Sequence, residues 1–417
     1  MEALAVTGGN QLRGTVQISG AKNAVLPILA ACVRQGGKYV LRNCPDISDV
    51  RLAVEIIELL GGNVRREETS LYMDTRMLNG WQIPAALMEK MRASVLFLGA
   101  LLGRFGRVRL TLPGGCPLGR RPIDLHLEVM SQLGAAVTLH DGEIFCQGQL
   151  HGGEVCFPFP SVGATENFLL AATACYGTAV LHHAAREPEV TDLAYFLRTM
   201  GACIEGIGTD TLTVHGGAPL TGATYTILPD RMETATYLCA AAACGGSVTL
   251  EKTDGTLLLP VVEALQQAGS EIRLERDRIH IQSEGRLRAV PELMTGPYPG
   301  FPTDAQAPFL AAMLLAKGES CMTETVFDNR FAHVDGFLRF GASVRRSGPT
   351  VRIQGVERLT PAVVHAADLR GAAALIIAAL QIEGKSLIFG LNHLDRGYDN
   401  PERKLRELGA AVFRIDQ

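Results

Sequence analysis

Several features are missing from these 417 residues, and each absence removes a class of function. Ten cysteines are present, yet none forms a CxxC pair and none stands at a zinc-type spacing from histidine. No disulfide framework is expected of a chain this long, whose opening MEALAVTGG lacks the basic, apolar pattern of an export signal. A reducing cytoplasm is the expected location. Apolar runs such as 372–380 fall far short of the ~20 residues that span a bilayer. Charge of neither sign dominates: 39 Lys and Arg face 43 Asp and Glu, for a net charge of −4. Nothing global therefore points to nucleic acid, and an anionic ligand would need a local basic cluster. There is no Walker loop, and Gly206 and Gly208 form a GxG without the third glycine of a dinucleotide fingerprint. No metal, cofactor or obligate protein partner is implied.

What is present is a repeat. A helical ending, a glycine and a strand recur as LLGGNV, QLGAAV, TMGACI, QAGSEI, RFGASV and ELGAAV, centred on Gly61, Gly134, Gly201, Gly269, Gly341 and Gly409. Six units of about 70 residues fill the chain, and a single core splits beyond ~250–300 residues, so two domains are expected. Each unit opens with a polar residue and an Ala-rich helix apolar on most sides, such as NAVLPILAACV or AAALIIAAL, which predicts burial. A strand, a loop and an amphipathic helix follow. The glycine just past that helix suits a left-handed cap. Two more strands close the unit.

The sixth unit stops short of its last strand, and EALAVTG near the start reads as that strand. The expected fold is α/β with three units per lobe. Residues 21–229 would form one lobe, and 1–20 with 230–417 the other. A ligand is expected in a cleft between them.

Unlike the core, two slots vary among the units. The first is the start of each buried helix: Lys22-Asn23, Arg92, Ser161-Val162-Gly163, Asp230-Arg231, Thr303-Asp304 and Asp368-Leu369-Arg370. Helix N-termini offer free N–H groups and partial positive charge, so this slot suits anions. The second slot is the loop before each amphipathic helix, with Cys116–Arg121, Arg186-Glu187, Asp328-Asn329-Arg330 and His393–Arg396. Helix starts and loops bearing Lys22, Arg92, Arg121, Arg370 and Arg396 read as a phosphate and carboxylate site. His333 and His393 read as hydrogen-bonding scaffold.

One loop stands apart. In PGGCPLGRRPIDLH, residues 113–126, Cys116 has no apolar run to bury it. Gly114 and Gly115 permit a bent backbone, and Arg120 and Arg121 favour the thiolate, the nucleophilic form. Cys116 is the expected reactive cysteine; the other nine are expected to be buried or inert.

At these residues the chain resembles the enolpyruvyl transferases, and among them those that act on UDP-N-acetylglucosamine. The likeness runs end to end through SGAKNAVLP (19–27), MRAS (91–94), LPGGC (112–116), RRPIDLH (120–126), SVGAT (161–165), AAREPEV (184–190), PGFPTD (299–304), ETVF (324–327), ADLR (367–370) and LDRGY (394–398). It implies a two-lobed inside-out α/β barrel of six βαβαββ units, with helices inside and sheets outside. The implied reaction moves the enolpyruvyl group of phosphoenolpyruvate to the 3-hydroxyl of UDP-N-acetylglucosamine, early in peptidoglycan synthesis. Lys22, Asn23, Arg121, Arg370 and Arg396 would bind phosphoenolpyruvate. Arg92, Arg121, Pro122, Ile123, Asp124, Leu125, Ser161, Val162, Gly163, Asp304 and Val326 would hold the UDP-sugar. Catalysis would fall to Cys116, Asp304, Lys22 and Arg396. Asp304 would take the hydroxyl proton, and Cys116 or Lys22 would supply the proton at C3. Pro117 and Arg120 depart from the usual loop, as do Ala305 and Pro308 after Asp304. The nearest alternative is a 5-enolpyruvylshikimate-3-phosphate synthase, which lacks the loop cysteine; a silent UDP-sugar-binding paralogue is another.

Overall fold

A computed structural model describes residues 2–114 and 123–416, which leaves the expected site residues Cys116, Arg121 and Pro122 outside the described residues. Contacts divide the described chain into two units, residues 20–114 with 123–228 and residues 2–19 with 229–416.

In the first unit three helices, Lys22–Arg34, Phe97–Phe105 and Val162–Ala172, pack against one another. Their small and aliphatic residues face inward on nearly every side, from Ala24 to Val33 in the first helix. Three sheets surround this core. Their strands alternate buried and open positions, as in Arg107–Thr111, where Val108 and Leu110 point inward. A slip of one residue would turn those side chains to solvent, so register is strongly specified.

The second unit repeats the plan around helices Arg231–Cys244, Thr303–Ala312 and Leu369–Leu380. Across both units there are six sheets, five of four strands and one of three, among the described residues. Each four-stranded sheet has one parallel pair at an edge, and its other neighbouring strands run antiparallel. In the three-stranded sheet the parallel place holds only a bridge, Gln82 to Arg109. All six repeat glycines adopt the left-handed conformation, with φ from +83° at Gly341 to +114° at Gly201.

Strand Glu2–Gly8 lies between Gly384–Phe389 and Ala411–Asp416, antiparallel to both. The next strand, Leu12–Gln17, goes elsewhere: it is the parallel edge beside Gly246–Glu251 in the fourth sheet. Thr224–Thr226 is likewise the parallel edge of the first sheet, beside Lys38–Arg42. The repeat begins with a strand ahead of its buried helix, a strand the glycine spacing does not mark. A buried ion pair secures Ser19 next to this exchange. Lys404 Nζ lies 2.6 Å from both Glu233 Oε1 and Ser19 Oγ, and the Ser19 amide donates to Glu233 Oε2 at 2.7 Å.

Candidate functional site

All six first-slot positions stand at helix starts. In the second unit Asp304 sits in the first turn of Thr303–Ala312, where the helix dipole favours a carboxylate. Two buried arginines grip it. Arg330 donates to Oδ1, and Arg370 approaches Oδ2 through Nε at 3.1 Å and a terminal nitrogen at 3.0 Å. Arg370 is held in turn by its helix, whose cap Asp368 accepts from the amides of Arg370 and Gly371. Its other terminal nitrogen donates to Tyr398 Oη at 3.1 Å, and Tyr398 Oη lies 2.7 Å from Thr236 Oγ1. The starts of the Thr303 and Leu369 helices are thereby joined to each other and, through Tyr398, to the second turn of Arg231–Cys244. Burial opposes the Arg370 charge, but Tyr398, Asp304 and Asp230 outweigh it and raise the guanidinium pKa.

Glu324, buried behind this cluster, accepts from the Thr303 hydroxyl at 2.8 Å and the Thr295 hydroxyl at 3.0 Å. It also accepts from the Val326 amide at 2.7 Å, which leaves that residue's carbonyl and side chain for other partners. One carboxylate thus fixes both the Asp304 helix start and the 326–327 turn. Arg396 is half-buried in the turn after Leu391–Leu394. Neighbouring Asp395 ties that turn to Arg414, which also reaches Glu402 at 3.0 Å.

In the first unit Lys22 opens its helix with Nζ 2.8 Å from Asp49 Oδ2, both side chains nearly buried. Asn23 beside it is exposed. Arg92 begins a 3₁₀ turn, Arg92–Leu96, and is half-buried. Ser161 stands at the cap of Val162–Ala172, but its hydroxyl makes no capping bond among the described residues. Asp124 and Leu125 open helix Asp124–Gln132 with exposed and half-buried side chains, whereas the Ile123 side chain is buried. Ala305 and Pro308 are buried in the core of their unit. The structure brings Asp304 and Arg370 into contact; it places Lys22, Asn23, Arg92 and Ser161–Gly163 at three helix starts of the other unit.

Four residues that matter to this geometry carried no assigned role in the sequence reading: Asp49, Glu324, Arg330 and Tyr398. Glu324 and Tyr398 lie inside recognisable motifs, and Arg330 inside the second slot. Asp49 had no local signal beyond being an acid in a first helical turn. The cysteine expectation also needs correction. Burial pushes the thiols of Cys32, Cys44, Cys146, Cys175, Cys239 and Cys244 up, but Cys156 and Cys203 are exposed at strand positions that face away from the core.

His333 is a buried imidazole beside the Arg330 cluster, edge-on to Phe337 at 5.0 Å, with no partner for either ring nitrogen among the described residues. Burial first, and Arg330 after it, brings its pKa down to about 4. The unfolded chain takes a proton near pH 6.5, so stability from this group is full above that value and is lost as pH falls toward 4. Between pH 7.5 and 5 the loss is on the order of 2 kcal/mol. His333→Phe is expected to remove this acid sensitivity and to keep or raise stability at pH 7.5, since it deletes two unsatisfied nitrogens. Urea titrations at both pH values test this; an unchanged acid loss in the variant rejects it.

Comparison with known proteins gives the lineage. Residues 6–405 match the family described as EPSP synthase (3-phosphoshikimate 1-carboxyvinyltransferase). The chain is 44% identical to UDP-N-acetylglucosamine 1-carboxyvinyltransferase of Allorhizobium ampelinum, with all of both chains covered. It is 43% identical to UDP-N-acetylglucosamine 1-carboxyvinyltransferase 2 of Caldanaerobacter subterraneus subsp. tengcongensis, over 98% of this chain and 99% of that one. Among solved structures, the enolpyruvyl transferase NikO from Streptomyces tendae superposes with a TM-score of 0.90 at 26% identity, covering 99% of each chain. An EPSP synthase from Acinetobacter baumannii, at 18% identity and a TM-score of 0.76 over both whole chains, shares the fold. With a family match across nearly its whole length and relatives this similar end to end, the chain belongs to the enolpyruvyl transferases, in the group of the UDP-N-acetylglucosamine 1-carboxyvinyltransferases.

Proposed function

We propose that this enzyme transfers the enolpyruvyl group of phosphoenolpyruvate to the 3-hydroxyl of UDP-N-acetylglucosamine, releases phosphate, and so commits the nucleotide sugar to peptidoglycan. The observation that carries this reading is the full-length likeness to 1-carboxyvinyltransferases of that substrate, in a chain that keeps Lys22, Cys116, Asp304 and Arg396. The cytoplasm is the assigned location. Among the described residues no helix is long and apolar enough to cross a membrane.

The chemistry follows from the residue types. Attack of the hydroxyl on C2 of an enol ether requires a proton at C3 and passes through an oxocarbenium-like state to a tetrahedral ketal. Loss of phosphate and of a C3 proton then restores the vinyl group. Cys116 is assigned the C3 proton or a covalent adduct at C2. Asp304 takes the hydroxyl proton. The guanidinium groups of Arg330 and Arg370 aim its carboxylate. Lys22, Asn23, Arg121, Arg370 and Arg396 are assigned the anionic donor. Arg92, residues 121–125, Ser161–Gly163, Asp304 and Val326 are assigned the UDP-sugar.

Phosphate release is the test, with phosphoenolpyruvate and either UDP-N-acetylglucosamine or shikimate 3-phosphate as acceptor. Release with the first alone is expected; release only with the second would reassign the enzyme. Arg396→Ala is expected to weaken dependence on phosphoenolpyruvate by about 2–5 kcal/mol, the range for a desolvated charge contact, while UDP-sugar binding measured alone changes little. Equal loss of both would mean that Arg396 serves the fold.

A further inference from the structure

Behind Ser161–Gly163 lies a polar chain that the assigned roles leave unused. Asn167, one helical turn further along Val162–Ala172, is fully buried. Its Oδ1 accepts from the Gly99 amide at 2.8 Å. That bond fixes which way the side-chain amide points. Its Nδ2 then donates both protons, one to the Val95 carbonyl at 3.0 Å and one to His126 Nδ1 at 2.7 Å.

The consequence for His126 is definite. A nitrogen that accepts from an amide N–H carries no proton, so the imidazole is neutral with its hydrogen on Nε2. The ring edge bearing Nε2 abuts Gly163: a Cβ built there would lie 3.0 Å from His126 Cε1 and 3.4 Å from Nε2. Glycine at 163 lets the ring sit directly behind the turn. Three segments meet at this pair: the Arg92 turn with the helix that follows it, the Asp124–Gln132 helix, and the Ser161 helix start. Each carries residues assigned to the UDP-sugar.

We propose that His126, held in its Nε2–H form by Asn167, is the positioning residue that sets the Ser161–Gly163 turn for the diphosphate of the nucleotide sugar. This rests on the assignment of that turn to the UDP-sugar. His126 itself does not touch the ligand; it fixes the place of the amides that do. Phosphoenolpyruvate, assigned to other residues, does not sense it.

The test uses the whole enzyme and four variants. His126→Phe keeps the ring's bulk without an acceptor, and Asn167→Asp keeps the bond from Gly99 but has no proton to give His126. Both are expected to weaken UDP-N-acetylglucosamine about tenfold, by titration and by KM, the scale of one lost buried hydrogen bond. The KM for phosphoenolpyruvate and kcat should stay within about twofold. Gly163→Ala, which pushes the ring away, should also weaken UDP-N-acetylglucosamine. His126→Gln, whose carbonyl can accept from Asn167, should recover most of the affinity. Ring ¹⁵N spectra should show a bare Nδ1 on His126 in wild type and a protonated one in Asn167→Asp. If wild type binds UDP-N-acetylglucosamine and His126→Phe binds it equally well, the inference falls alone. Uniform loss of kcat and both KM values together with melting temperature would also overturn it. Failure of wild type to bind the nucleotide sugar would overturn the proposed function and the inference together.

Discussion

Asp304→Asn is expected to cut turnover severely and destabilise its unit at once, for two separate reasons. Catalytically, it removes the carboxylate assigned to take the hydroxyl proton, a loss of roughly 10²–10⁴ in kcat for a general base. Structurally, it leaves Arg330 and Arg370, each exposed by only 2–3%, facing each other without the charge between them. Breaking a buried pair by removing one partner costs about 3–5 kcal/mol, and the 26% exposure of the Asp304 side chain places this loss at or below the lower end. The two effects separate in a double variant. Asp304→Asn with Arg330→Met removes one of the orphaned charges and should regain much of the stability without any activity. Denaturant unfolding and single-turnover phosphate release on the single and double variants read the two effects independently. A stable, active Asp304→Asn would remove Asp304 from the mechanism.

The second large effect is at Cys116. A small anionic epoxide such as fosfomycin is expected to alkylate this thiol selectively, because the reagent resembles the phosphate-bearing donor and the residues around it in sequence are cationic. Exposed Cys156 and Cys203 provide an internal control. A neutral alkylating reagent should label them, whereas the anionic epoxide should leave them untouched. The six thiols raised by burial should resist both in the folded protein. Cys116→Ala should lose most turnover, having neither acid nor nucleophile. Cys116→Asp retains an ionisable acid and should escape alkylation while keeping turnover. Peptide mass mapping decides between outcomes: epoxide on another cysteine, or full activity in Cys116→Ala, would sink the role assigned here.

The repeat and the helix starts were legible because they are local. A glycine after an amphipathic helix, or an Asp before an Ala-rich one, carries its meaning within a few residues. Partnership was not legible. Lys22 meets Asp49, and Asp304 meets Arg330 and Arg370, across loops whose geometry no short motif encodes. Leu12–Gln17 shows the same limit, since nothing in LRGTVQ says that its neighbour is Gly246–Glu251 and not the sixth unit. Cys156 and Cys203 are exposed because strand alternation sends every second side chain outward, which flanking apolar residues do not reveal.

The placement of the first two strands has a consequence for the order of events during synthesis. Residues 20–114 and 123–228 form one unit, which can complete its three sheets as soon as Thr224–Thr226 has left the ribosome. The other unit cannot. Glu2–Gly8 precedes its partner Ala411–Asp416 by some 400 residues, a delay of ~20–80 s at 5–20 residues per second. Through that interval an early strand with four buried positions, Ala3 to Val6, waits without its neighbours. The nascent chain thus carries an unpaired adhesive strand throughout that interval, and a chaperone that shields nascent apolar segments has a defined reason to hold this one.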